Sequence, residues 1–263
     1  MQQRFALSDP AMEVALHDEP LFREFTGLHF KTRLPDEGTI LRFRHKLEEH
    51  MLAEQILQTV NEMLQAMGLL LKAGAVVDAT LSAGPSSTKN ACGKRDPEMH
   101  QSWKGNQWHF GMDAHVGVDA DSGLVHTSKG MAVNVNDVVE VNRLLHGEET
   151  DAFGDAGHEG AAKRPDARTD VQRHVGMRID KRRALDKTRK VDALVEQLDR
   201  LKARLRTKVE NSSSVVKRHF DHVKVRYHGL KKSAAQVRIL FAPSNLSMTH
   251  KALLVLDGQV HPS

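Results

Sequence analysis

A chain of 263 residues can bury a sizeable core, and it holds no stretch of about 18 apolar residues and no apolar run after Met1-Gln2-Gln3-Arg4, which excludes helical membrane spans and a signal peptide and predicts a soluble, cytoplasmic protein. Cys92 is the single cysteine, which excludes an internal disulfide and a multi-cysteine zinc knuckle. The net charge of +4 conceals segregation: residues 161–240 carry 23 Lys or Arg against 9 Asp or Glu, an excess over several elements that reads as a nucleic-acid-binding face rather than one solvated helix.

The first elements read as helices. Ser8 or Asp9 can cap one, Pro20 opens a second, and Asp36 after Pro35 can cap a third through Glu49. From Leu52 to Met67, apolar residues recur at the three-and-four spacing of one buried helical face. Gly74 breaks that pattern, and the run Ala75 to Leu81 reads as a buried strand containing Asp78.

Residues Ser82 to Gln107 read as a loop, followed by strands at Trp108 to Val118 and Leu124 to Met131. The connecting Asp119-Ala120-Asp121-Ser122-Gly123 resembles a fragment of a calcium loop, but the later bidentate glutamate is missing and ordinary hairpin chemistry is the better reading. Asn136 or Asp137 can cap a helix through Leu145, and Thr150 to Phe153 form a short strand ahead of Asp155. A strand at His174 to Met177 precedes a long helix from Val191 to His219, whose Leu194, Val195, Leu198, Leu201 and Leu205 are expected to face inward. A last helix covers Ala234 to Leu254.

Three carboxylates suggest chemistry: Asp78, Asp155 in Gly154-Asp155-Ala156-Gly157, and Glu210 within the basic block. Two aspartates that each close a short strand can converge at one sheet end, and a glutamate on a later helix can reach the same point. Such a cluster can hold two hard divalent cations acting on a phosphodiester. The plainer alternatives are strand-end aspartates accepting backbone N–H groups and a Glu210–Arg206 pair on one helix. His109 and His115 could share a sheet face, but without a third ligand packing or phosphate contact is favoured over a metal pair. Trp103 and Trp108 could stack on unpaired bases, although closing the core edge is the favoured reading.

From Ala6 onward the chain resembles bacterial insertion-sequence DDE transposases of the family founded on insertion sequence five. The resemblance is carried by Val77-Asp78-Ala79-Thr80, Gly84-Pro85-Ser86-Ser87-Thr88-Lys89-Asn90, and Lys94-Arg95-Asp96-Pro97-Glu98-Met99-His100. It continues in Lys104-Gly105-Asn106-Gln107-Trp108-His109-Phe110-Gly111-Met112, Leu144-Leu145-His146-Gly147-Glu148-Glu149, Asp155-Ala156-Gly157 and Lys224-Val225-Arg226-Tyr227. It implies a ribonuclease H-like α/β fold, a mixed sheet flanked by helices, with an N-terminal helical region over residues 1–72 and a catalytic domain over 73–255.

It also implies that Asp78, Asp155 and Glu210 hold two Mg²⁺ or Mn²⁺ ions for cleavage and strand transfer at insertion-sequence ends. Arg206 and Lys217 keep the family's spacing around Glu210, with Ala203 in place of its tyrosine; together with Arg218, Lys224 and Arg226 they are expected to meet DNA. The implied partners are double-stranded terminal repeats and target DNA, with a homodimer in the synaptic complex and a nucleoid-associated location. Relatives carry a His-Pro-Phe-like segment where this chain has Asn211-Ser212-Ser213-Ser214, whose serines favour helix poorly, lysine where it has Asp113, and tyrosine where it has His158. Met1 falls inside the family's N-terminal helical region, so an N-terminally truncated copy is expected. The alternative function is a catalytically incompetent DNA-binding remnant.

Overall fold

Ser8 and Asp36 cap helices as their side chains dictate: Ser8 Oγ accepts from Ala11 N, and Asp36 Oδ1 accepts from Thr39 N at 2.6 Å. In the computed structural model, which describes residues 1–29, 31–91 and 93–258, these open α1 (Asp9–Asp18) and α3 (Glu37–Glu49), with α2 (Pro20–Phe25) between them. Cys92 lies outside the described residues. The apolar stripe of α4 (Leu52–Ala66) buries Leu57 and Leu64, with Asn61 among them.

The strands are β1 (Gly74–Ala83), β2 (His100–Lys104), β3 (Gln107–Asp119), β4 (Val125–Ala132), β5 (Asp151–Gly154) and β6 (Gln172–Val175). They form one six-stranded sheet in the order β2-β3-β1-β5-β6, with β4 also on β3. β3 is antiparallel to β1, β2 and β4, whereas β1–β5 and β5–β6 are parallel. After a short α5 (Ile179–Arg183), the long helices α6 (Lys190–His219) and α7 (Leu230–Leu256) complete the chain. This is the mixed α/β sheet flanked by helices that the ribonuclease H-like expectation requires.

Alternation along β1 divides the core between the two sheet faces. Val76 packs with Leu57 of α4, Val209 and Val216 of α6, and Leu240 and Phe241 of α7. Val77 turns the other way, against Val141, Leu144 and Ala161. A buried amide pair locks helices to sheet: Asn245 Nδ2 donates to Asn61 Oδ1 and to Val125 O, both at 2.8 Å, while Asn245 Oδ1 accepts from Val125 N at 3.0 Å.

Several expectations are corrected. The supposed loop before Trp108 contains β2, and the supposed helix from Asn136 is two 3₁₀ turns, Asp137–Val139 and Val141–Leu144. Leu194, Leu198 and Leu201 are exposed rather than inward: the apolar residues that α6 buries in the core, Val209 and Val216, lie in its second half. The serine-rich segment does not interrupt α6; Ser212 is buried and donates to Gly123 O at 2.5 Å. Trp103 and Trp108 do not close the core: they face each other near the tip of the β2–β3 hairpin, 54% and 66% exposed.

Candidate active site

Parallel pairing brings the two aspartates together. The last β1–β5 register pair is Val76 with Phe153, so Asp78 and Asp155 each stand two residues further on, directed to the same face of neighbouring strands. Asp78 Oδ1 accepts from Ala79 N at 2.8 Å. Burial and then the charge of Asp155 raise the Asp78 carboxyl above the usual range, against the opposing pull of that N–H, Arg206 and His158.

Asp155 sits where β5 gives way to a 3₁₀ turn, its Oδ1 accepting from Gly157 N at 2.8 Å. His158 Nδ1 lies 3.0 Å from Asp155 N and 3.1 Å from Asp155 Oδ1. These contacts require opposite roles of that nitrogen: as a lone pair it accepts from the backbone N–H, and when protonated it donates to the carboxylate. The His158 contact leads the causes that hold the Asp155 carboxyl below its ordinary range, with Arg206 adding to it. Two neighbouring aspartates are thus pushed in opposite directions.

Glu210 is delivered by α6, whose register is fixed on both sides of it. Lys208 Nζ donates to Ala120 O and Asp121 O in the β3–β4 turn, and Ser212 hangs on Gly123 O of the same turn. Further back, Asp199 Oδ1 accepts from Met177 N at 2.8 Å and Lys202 Nζ donates to Val175 O at 3.2 Å, tying the helix to the end of β6. Glu210 is exposed and lines a cleft of about 310 Å³ with Asp78, Thr80, Ser213, Lys217 and Arg218. Its carboxylate has no hydrogen bond or ion pair among the described residues, which sets aside a Glu210–Arg206 pair.

The basic residues separate into three groups. Arg206 leans into the carboxylates, lowering both Asp78 and Asp155, and its buried Nε has no partner. Lys217 and Arg218 line the cleft, and burial lowers the Lys217 ammonium. Lys224 lies instead beside Ala83 at the far end of β1, and Arg226 reaches Asp221 O at 3.5 Å. Acidic residues gather part of the remaining basic surplus: Glu159 takes Arg178 and Lys181, and Glu196 takes Lys187 and Arg200.

The histidine readings resolve differently. His109 Nε2 meets Lys104 O at 3.2 Å, whereas His115 is buried with Nδ1 3.8 Å from Asp137 Oδ1, so they form no metal pair. Asp113, buried, is held by Lys104 Nζ at 2.8 Å. Asp119 accepts from Lys72 N, Ser122 N and Ser122 Oγ, which is turn chemistry and not a cation loop. The fold also brings His126 together with His146 and Glu149, two residues that the sequence marks only as part of the resemblance. No local spacing signals that cluster, since His126 belongs to β4 and the other two to the loop before β5.

Among the described residues, no helix is long and apolar enough to cross a membrane. No solved structure matches the chain. A family model described as a transposase DDE domain matches residues 70–246, a span that contains both aspartates, Glu210 and all the cleft residues. A second, described as a transposase domain (DUF772), matches residues 1–46. The chain therefore belongs to the DDE-domain transposases.

Proposed function

We propose that the chain is a DNA transposase of the family founded on insertion sequence five, in which Asp78, Asp155 and Glu210 form the catalytic triad for cleavage and strand transfer at insertion-sequence ends. The observation that carries this reading is the convergence of Asp78 and Asp155 from adjacent parallel strands beside a cleft that Glu210 enters from α6. Residues 1–72 would form the N-terminal helical region and 73–255 the catalytic domain.

The donor set fits hard divalent cations. Oδ2 of Asp78 and of Asp155 receives no hydrogen bond among the described residues, and Glu210 keeps its carboxylate free. Two Mg²⁺ or Mn²⁺ ions held there would supply charge stabilisation to the attacking and leaving oxygens of an in-line phosphoryl displacement. Arg206 offsets part of the negative charge on the aspartates before any cation enters. Lys217 and Arg218 stand where they can hold the scissile or flanking phosphates, as ammonium and guanidinium groups do. Lys224 and Arg226, outside the cleft, would hold DNA further along the duplex, and a homodimer would bring two ends together.

The decisive assay incubates the purified chain with duplexes bearing its terminal inverted repeats and Mg²⁺ or Mn²⁺. Metal-dependent nicking and strand transfer are expected, and Asp78→Asn, Asp155→Asn or Glu210→Gln should abolish both while DNA binding persists. Salt-sensitive binding without cleavage by the parent chain would replace this reading with that of a DNA-binding remnant.

A further inference from the structure

His126, His146 and Glu149 offer one ligand atom each, and those atoms all lie within 4.8 Å of one another. They occupy the sheet face opposite Asp78. Gly117 pairs with Val77, whose side chain packs on Val141 and Leu144, whereas Asp78 pairs with Val116 on the face covered by α6 and α7.

The site is built rather than incidental. At the register irregularity between β3 and β4, the His126 ring lies across Gly117; a Cβ there would stand 2.6 Å from His126 Cε1 and 2.5 Å from Leu144 O, so only glycine admits the ring. His126 Nδ1 meets Thr127 Oγ1 at 3.0 Å, which leaves Nε2 enclosed without a partner. His146 Nε2 is likewise enclosed without a hydrogen bond, 3.3 Å from Glu149 Oε1, and the two rings meet edge to face with centroids 4.6 Å apart.

Glu149 is 2% exposed and already oriented. Its oxygens accept from His146 N at 2.5 Å, Gly147 N at 2.8 Å and Arg168 at 3.2 Å. Such outer partners fix a ligating carboxylate in metal centres. A cleft of about 270 Å³, bordered by Glu54, Glu62 and Lys72, reaches both histidines. Packing alone leaves His126 Nε2 buried with no partner, and gives the enclosed His146 Nε2 only the Glu149 carboxylate to face.

We propose that His126, His146 and Glu149 form a second metal site, for Zn²⁺ or a similar borderline transition-metal ion, with a fourth position open to the cleft. Two imidazoles and one carboxylate suit that class, whereas Mg²⁺ prefers oxygen. Burial drives both rings to the neutral form that ligation needs, His126 being pushed down to about 3. Zn–N bonds of about 2.0–2.1 Å require the three side chains to draw together on loading. The His146 proton moves from Nε2 to Nδ1, which releases the 3.2 Å bond that Nδ1 now accepts from Glu148 N. The ion would pin β4 to the segment leading into β5, and nothing in this assignment depends on the catalytic reading of Asp78, Asp155 and Glu210.

The test uses tag-free full-length chain stripped with chelator, titrated with Zn²⁺ in excess Mg²⁺ by calorimetry. One Zn²⁺ per chain is expected to persist, with an upward thermal shift, and His126→Gln or His146→Gln should weaken binding about 100-fold or more. Asp155→Asn should leave it intact. In case the variants do not fold, histidine ¹⁵N spectra of the parent chain decide independently: two Nε2 resonances should move to metal-bound positions at one equivalent. Absence of stoichiometric binding by the parent, unmoved histidine resonances, binding that survives in both folded histidine variants, or its loss in Asp155→Asn would each overturn the proposal.

Discussion

Asp78 and Asp155 stand side by side at continuing register positions of two parallel strands, yet their carboxyls are displaced in opposite directions, Asp78 upward and Asp155 downward. Burial and its neighbour's charge make ionised Asp78 costly in the folded chain, and a carboxyl with a raised folded-state pKa withdraws stability as pH rises through that value. Without divalent metal, Asp78→Asn should therefore stabilise the protein at pH 7 by ~1 kcal/mol and give no gain at pH 3. Thermal melts in chelator at the two pH values check this, and a variant no more stable than its parent at pH 7 contradicts it.

His222 sets an acid limit. It is 1% exposed, neither ring nitrogen has a partner, and burial pushes its pKa from 6.5 down to about 4. The unfolded chain thus takes up a proton that the folded chain refuses, so stability falls as pH drops from 6.5 towards about 4. His222→Leu should flatten that slope and exceed the parent by on the order of 2 kcal/mol at pH 5, relative to their difference at pH 8. Urea titrations at both values measure it; parallel pH profiles would rule out a His222 origin.

Asn245 holds the join between α4, α7 and β4 with hydrogen bonds to Asn61 and to both backbone groups of Val125. Asn245→Leu keeps the volume but strands Val125 N and part of Asn61 in the core. A loss of about 2–3 kcal/mol is expected from orphaning buried polar groups. Denaturant midpoints give the value, and a change under about 0.5 kcal/mol would mean that the site accommodates leucine by repacking.

How far the sequence reveals this molecule depends on how local each signal is. The stripe on α4 and the β-branched run around Asp78 announce their elements because helix and strand periods are written over a few residues. β2 escapes notice because His100-Gln101-Ser102-Trp103-Lys104 is largely exposed and shows no apolar alternation. Around Glu140, β-branched Val138, Val139 and Val141 disfavour a continuous α-helix, while buried Glu140 pairs with Lys129 and Arg143. The leucines of α6 carry a sound helical period, but periodicity cannot say which half of the helix meets the core. The aspartates could be singled out because Asp78 lies in a β-branched run and Asp155 directly follows a short strand; that Arg206 lies among them, and that His126 meets His146, are results of tertiary packing.

Trp103 and Trp108 pair across the β2–β3 hairpin with ring centroids 5.3 Å apart and an interplanar angle of 67°, close to Lys104 and the left-handed turn at Gly105 and Asn106. Exposed aromatic surface of this kind is suited to stacking on unpaired bases, worth about 1–3 kcal/mol per base. Neither ring is needed by the core, so Trp108→Ala should change folding stability by less than about 0.5 kcal/mol. It should nevertheless weaken binding to DNA ends with a single-stranded overhang by about tenfold, with little effect on blunt duplex. Since these are the only tryptophans of the chain, the parent's fluorescence should be accessible to iodide and quenched by overhang DNA. Equal affinities of parent and variant for both substrates, with iodide quenching unaffected by DNA, would remove the hairpin from the DNA-binding surface.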